Sequence, residues 1–222
     1  RIIVAGEPGG SIASTRARMQ KLWPSATVID HHGMTEIGPV SYQCPDHPGL
    51  LHILESAYLV EIVDPKTLRP VATGQPGELV LTNLGRAGMP LLRYRTGDLV
   101  RAAPQAACAS GITDIALAGG ILGRTDDMVI VRGVNVYPGA VEAIVRGFAT
   151  VAEYRVDVLE ERAMIELSLT IEPTEACDDP QALAREVEEA LRVSLALRIP
   201  VTLTGINTLP RFEMKAKRWF RY

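Results

Sequence analysis

The chain has 222 residues, 47% of them hydrophobic and 22% charged, with 19 glycines and 15 prolines, a balance that excludes a disordered or collagen-like polymer and suits one large or two modest globular domains. A net charge of -3 supplies no cationic field to hold a nucleic acid backbone or an anionic lipid surface, so neither nucleic acid nor membrane is an expected partner. The three cysteines, at 44, 108 and 177, form no CxxC pair and no even-numbered disulfide set, and with no apolar run of membrane length the expected setting is a reducing, cytoplasmic one.

Arg1 to Gly6 reads as a buried strand, so the sequence opens in mid-fold. Ser11 is placed to cap a helix reaching Leu22, and Ala26 to Asp30 reads as the next strand of a βαβ unit, with a loop starting at His31 where α/β sheets place ligand sites. Between about 50 and 120 short strands alternate with Pro and Gly turns (Tyr58 to Val63, Glu78 to Thr82, Asp98 to Arg101), which predicts a small antiparallel or barrel-like subdomain. Past the Gly-rich stretch from 119 to 127 come a strand (Met128 to Val131), a Pro-started helix (Gly139 to Phe148) and two strands (Ala152 to Leu159, Met164 to Ile171). A helix from Gln181 to Leu197, with Leu183, Val187, Leu191 and Leu195 on one stripe, and a strand near Val201 to Ile206 complete an α+β unit. The expected domains are therefore 1–123 and 124–222.

Polar residues gather in four places. All four histidines lie between 31 and 52 with Cys44 among them, and Cys44, His47 and His52, with Cys108 from a distant loop, have the softness and turn-rich setting that zinc prefers. Two loop histidines and a buried thiol explain the same pattern without metal. His32-Gly33-Met34-Thr35-Glu36 sets a hydroxyl and a carboxylate just past a strand, as a phosphate and Mg²⁺ require, or else is a turn leading to a helix cap. Arg93 to Asp98 places cations and a carboxylate at the mouth of a strand, suited to a ribose diol or to a surface ion-pair cluster. Gly123 to Asp127 and Arg132-Gly133 are hinge material or plain linker. The tail from Pro210 to Arg221 carries five cations and one carboxylate, readable as a binding tract, as a solvated end, or as the carrier of a lysine to a phosphate. GxxxxGK[ST], GxGxxG and GxSxG are all absent, which removes a Walker NTPase, a Rossmann dehydrogenase and a serine hydrolase.

Taken in order, these segments resemble the C-terminal half of an adenylate-forming (AMP-binding) enzyme, nearest the phenylacetate-CoA ligase branch, and the resemblance runs over essentially all 222 residues. It implies the C-terminal part of a large α/β adenylation domain, followed by a smaller α+β lid. It implies an AMP-forming ligase that activates an aromatic or other small carboxylic acid with ATP and Mg²⁺ and passes the acyl group to CoA, commonly as a homodimer. Gly6, Glu7 and Pro8 match the loop along the adenine; His32, Gly33 and Met34 the adenine-side segment; Thr35 the α-phosphate contact; Glu36 the Mg²⁺ ligand. Asp98 and Arg124 match the ribose-binding pair, Asp126 the hinge, Gly133 a loop on the CoA path, and Lys215 the lysine that bridges carboxylate and phosphate.

His32 stands where an aromatic usually stacks on the adenine, Met214 where many relatives have Gly, and Ser110 where zinc-bearing relatives have the last cysteine of a set whose other members are Cys44, His52 and Cys108. The family's Ser/Thr/Gly-rich loop for the β- and γ-phosphates has no counterpart in the 222 residues, so this piece alone is expected to be inactive. The alternatives are an adenylation module that loads a carrier protein or an amine, and a non-catalytic nucleotide-binding or zinc-stabilised module.

Overall fold

The computed structural model describes residues 1–5, 10–104, 111–161, 164–212 and 217–222. The chain forms two compact units, Arg1–Asp126 and Asp127–Tyr222.

The first unit opens with β1 (Ile2–Val4), α1 (Ala13–Leu22) and β2 (Val28–Asp30), and β1 and β2 pair in parallel as a βαβ connection requires. Ser11 does not cap α1: its hydroxyl donates to Asp30 Oδ2 at 2.5 Å, and the N-cap is Ile12 without a side-chain bond. The buried residue of α1 is Arg16, while Leu22 and Trp23 are exposed. Its guanidinium donates to the carbonyls of Gly10 (2.8 Å) and Val28 (2.7 Å) and to Gln43 Oε1 (2.9 Å). A buried cation is tolerable on those terms, although burial still lowers its pKa.

There follow the hairpin β3 (Gly33–Met34) and β4 (Gly38–Pro39), then β5 (Ser41–Gln43), β6 (Leu50–Ile53), β7 (Tyr58–Val63), β8 (Pro76–Asn83), β9 (Tyr94–Arg101), β10 (Ala116–Ala118) and β11 (Gly123–Arg124). They make two open sheets, β10-β6-β5 and β11-β9-β8-β7, with the β3-β4 hairpin apart. Where the sequence suggested something barrel-like, the described residues contain no closed barrel. Alternating residues from both sheets fill one core, among them Ile53, Tyr58, Leu79, Leu81, Val100 and Leu117.

In the second unit β12 (Val129–Val131) and β13 (Val134–Val136) form a hairpin. Its two-residue turn, Arg132-Gly133, has φ of 50° and 84°, the pair of positive angles that a type I′ turn needs and that glycine adopts without strain. α2 (Pro138–Val145) starts on a proline that gives up no needed N–H, and β14 (Val151–Glu161) and β15 (Met164–Pro173) make a long antiparallel pair. α3 (Pro180–Leu195) is capped by Asp179, whose side chain accepts from Ala182 N–H at 2.9 Å, and ends on Ala196 in the left-handed conformation. β16 (Val201–Leu203) and β17 (Trp219–Arg221) extend the sheet to the order β16-β15-β14-β17. The apolar stripe of α3 (Leu183, Val187, Leu191) packs with Val141 and Val145 of α2 and with Tyr154, Leu169 and Ile171 of the sheet.

The basic, aromatic end of the chain is thus a strand and not a solvated tail. β17 pairs in parallel with β14, Trp219 is partly buried, and Arg218 reaches Glu153 at 2.7 Å. Trp219 packs against the core and Phe220 is half-buried, while Arg221 stays exposed.

Candidate functional site

Asp98 lies inside β9, four residues past the start of that strand, and not at a strand mouth. Thr96 prepares its position: the Thr96 hydroxyl donates to Leu79 O (2.8 Å) and accepts from Asp98 N–H (3.0 Å). The Asp98 carboxylate is 7% exposed and is held from two sides. His32 Nε2 is 3.0 Å from Oδ2, and Arg124 Nη1 is 3.4 Å from Oδ1. An ionised carboxylate only accepts, so the His32 ring presents Nε2–H to it, and Nδ1 is buried with no hydrogen-bond partner among the described residues. The backbone of His32 is fixed as well, because its N–H donates to Ser41 Oγ (3.1 Å) while its carbonyl accepts from Val40 and Ser41.

Arg124 is shared. Its Nε and Nη2 donate to Asp126 at 2.9 and 3.2 Å, and this fork holds the Asp126 carboxyl below the usual carboxylate range. It crosses the backbone at Gly97, where a Cβ would come within 2.7 Å of Arg124 Nη2. The guanidinium end could shift, but Gly97 has a φ of 75°, in the left-handed region, and that is what favours glycine there.

Gly33 and Met34 are β3, and Thr35 and Glu36 form the exposed tip of the β3–β4 hairpin. The segment is therefore a hairpin turn, not the start of a helix. A lone exposed carboxylate beside a hydroxyl suits a hard, partly hydrated cation such as Mg²⁺, which keeps most of its waters. The other cations foreseen around Asp98 are occupied elsewhere: Arg93 pairs with Glu61 and Arg95 with the buried Glu78. Gly6, Glu7, Pro8, Cys108 and Lys215 lie outside the described residues. Gly133 is in the second unit, at the turn between β12 and β13, with open space where a Cβ would project.

Among the described residues no three His, Cys, Asp or Glu side chains are gathered for a metal ion. Cys44 and His52 are both buried, and His47 is exposed. His52 Nδ1 lies 3.0 Å from Asp114 O and so carries a hydrogen, and Nε2 is buried with no hydrogen-bond partner among the described residues. Sequence reasoning missed Thr96, Ser41 and Arg86, which act through backbone groups; Arg86 donates to the carbonyls of Glu36 and Ile37. Only the run of polar residues around Thr96 gave any hint.

Residues 133–221 match the family described as the AMP-binding enzyme C-terminal domain. The phenylacetate-coenzyme A ligase of Thermus thermophilus is 45% identical over 202 residues, which are 82% of this chain and 45% of that protein. That of Escherichia coli is 31% identical, with 87% and 45% covered. The chain thus spans about half the length of these curated relatives. A 2-hydroxyisobutyryl-CoA ligase, solved in its postadenylation state with an acyl-AMP ligand, matches with a TM-score of 0.90 at 29% identity, covering 99% of this chain and 48% of that one.

Proposed function

Since the chain belongs to the adenylate-forming enzymes and to the C-terminal part of their phenylacetate-CoA ligase branch, we propose that the whole protein is an AMP-forming carboxylate–CoA ligase. The observation that carries the proposal is Asp98, a nearly buried carboxylate held between His32 and Arg124 and suited to accept from both hydroxyls of a ribose.

In this reading the acid's carboxylate oxygen attacks the α-phosphorus of ATP, the bond to pyrophosphate breaks, and an acyl-adenylate forms. A thiol then attacks the acyl carbon, AMP leaves, and the thiol proton passes to solvent. Asp98 and Arg124 orient the ribose, while His32 with Gly33 and Met34 forms the adenine side together with Gly6, Glu7 and Pro8. Thr35 donates to an α-phosphate oxygen. Glu36 would hold Mg²⁺, which would supply charge neutralisation at the phosphates. Lys215 sets an ammonium between two anions that otherwise repel, a contact worth most where charge develops.

The further proposals are an N-terminal adenylation domain ending at 123, a lid at 124–222 that turns at Asp126, and a CoA path past Gly133. Relatives named as coenzyme A ligases favour CoA over a carrier protein and favour an aromatic acid. Zinc on Cys44, His52 and Cys108 extends the reading. A metal-bound imidazole commonly donates its other N–H to a carbonyl, as His52 does to Asp114. One zinc per chain on metal analysis of the intact protein supports this, and none overturns it.

The test of the main proposal is pyrophosphate–ATP exchange by the intact protein with phenylacetate and a panel of small acids. Exchange that depends on one of them supports the ligase. Nucleotide binding without exchange for any acid leaves a binding module and overturns it.

A further inference from the structure

Thr35 and Glu36 sit at the tip of a hairpin whose strands are two residues each, too short to fix its own tip. Beside the short β3–β4 ladder, a backbone bond from Ile37 N–H to Met34 O at 3.3 Å closes the turn. The remaining hold on it comes from elsewhere. Arg86 Nη1 donates to Glu36 O at 3.1 Å and to Ile37 O at 2.6 Å, and the Tyr58 hydroxyl lies 3.0 Å from both Ile37 O and Pro39 O.

Arg86 comes from the exposed segment 84–93 between β8 and β9, and that segment is itself anchored. The buried Asn83 accepts Leu91 N–H on Oδ1 (3.0 Å) and donates Nδ2 to Met89 O (3.2 Å), while its own N–H donates to Leu91 O (3.1 Å). Leu84 N–H adds a bond to Ala57 O at 2.9 Å. A braced loop thus delivers one guanidinium nitrogen across two successive carbonyls at the turn's tip. Successive carbonyls that converge on one point repel each other as dipoles, and a shared cation relieves that repulsion.

We infer that Arg86 is a positioning residue for adenylation: by holding the carbonyls of Glu36 and Ile37 it fixes the directions of the Thr35 hydroxyl and the Glu36 carboxylate without touching the reacting atoms. The inference rests on reading that turn as part of the adenylation site. Tyr58 shares the Ile37 carbonyl and supports the same turn from the core side. Arg86 suits the task better than lysine because its planar fork gives up less freedom for each bond formed.

The test compares wild-type intact protein with Arg86→Ala and Arg86→Lys. The side chain is exposed, so the variants are expected to fold. For Arg86→Ala the kcat of acid-dependent pyrophosphate exchange should fall about 10- to 100-fold, as for a misplaced reacting group, with the KM for the acid changing by less than about twofold. Arg86→Lys should recover part of the rate. Hydrogen exchange followed by mass spectrometry should show faster exchange in peptides covering 32–40 of Arg86→Ala and wild-type exchange elsewhere.

Unchanged exchange at 32–40 overturns the inference, as does acceleration throughout the unit, which marks a merely structural role. A raised KM at constant kcat overturns it too, by assigning Arg86 to binding. If wild type turns over no acid, the ligase reading fails and the adenylation role fails with it, while the exchange pattern still decides whether Arg86 holds the turn.

Discussion

Both units bury carboxylates, and one from each, Glu172 and Asp98, are held in opposite ways. Glu172 in β15 is 0% exposed and accepts Asn207 N–H and Leu209 N–H at 3.0 Å each, besides a fork from Arg211. Arg211 first, and then those amides, hold its pKa at about 2. Asp98 in β9 is nearly as buried, yet its partners are two side chains, one of them 3.4 Å away and shared with Asp126. A carboxylate whose lone pairs are filled by backbone amides is a lock, because no ligand can compete without unfolding the segment it ties down. One held by an imidazole and a shared guanidinium can exchange those partners for a ligand.

The largest effect that separates the two is Glu172→Ala. Removing the carboxylate leaves two amides and Arg211 without their acceptor, and we expect a loss of about 3 kcal/mol, a fall of roughly 15 °C in the Tm of the second unit, read by calorimetry. A shift no larger than that of a surface variant would break the comparison. Asp98→Ala should lower the Tm by less, because Arg124 keeps its pair with Asp126 and only the His32 N–H loses its acceptor, and should raise the KM for ATP about 10-fold or more, the worth of a charged hydrogen bond; a loss confined to kcat would contradict the ribose role.

Acid sharpens the contrast. The Glu172 pKa is depressed in the fold, so its contribution is complete above the unfolded value near 4.3 and disappears as pH falls toward about 2. Wild type should therefore lose stability across that window, and Glu172→Gln should lose less there. At the small end, Glu189→Ala should leave the Tm of the second unit indistinguishable from that of other surface variants, since its pair with Arg192 lies on the exposed face of α3.

How much of this could be read beforehand varies with the length of the signal. The stripe of α3 and the long β14–β15 pair repeat their period over many residues and were legible in the chain. β5, β6 and β10 are three or four residues each and went unseen, as did the pairing of β17, because cations interrupt its apolar pattern. The barrel-like expectation failed because strand spacing carries no information on whether a sheet closes. Asp98, Arg124 and the Thr35–Glu36 turn were legible through motifs. Their supports were not, for Thr96, Ser41 and Arg86 act on backbone groups that no residue pattern encodes. Ser11 shows the converse: a good capping residue is diverted because Asp30 offers its hydroxyl a buried acceptor.

The most direct test of the central claim, that the Asp98 cluster holds a nucleotide, is a calorimetric titration of AMP into the intact protein beside its Asp98→Ala variant. The account predicts saturable binding that weakens about 10-fold or more in a variant that still unfolds cooperatively. Equal affinity in both proteins would contradict it and move the ribose away from Asp98.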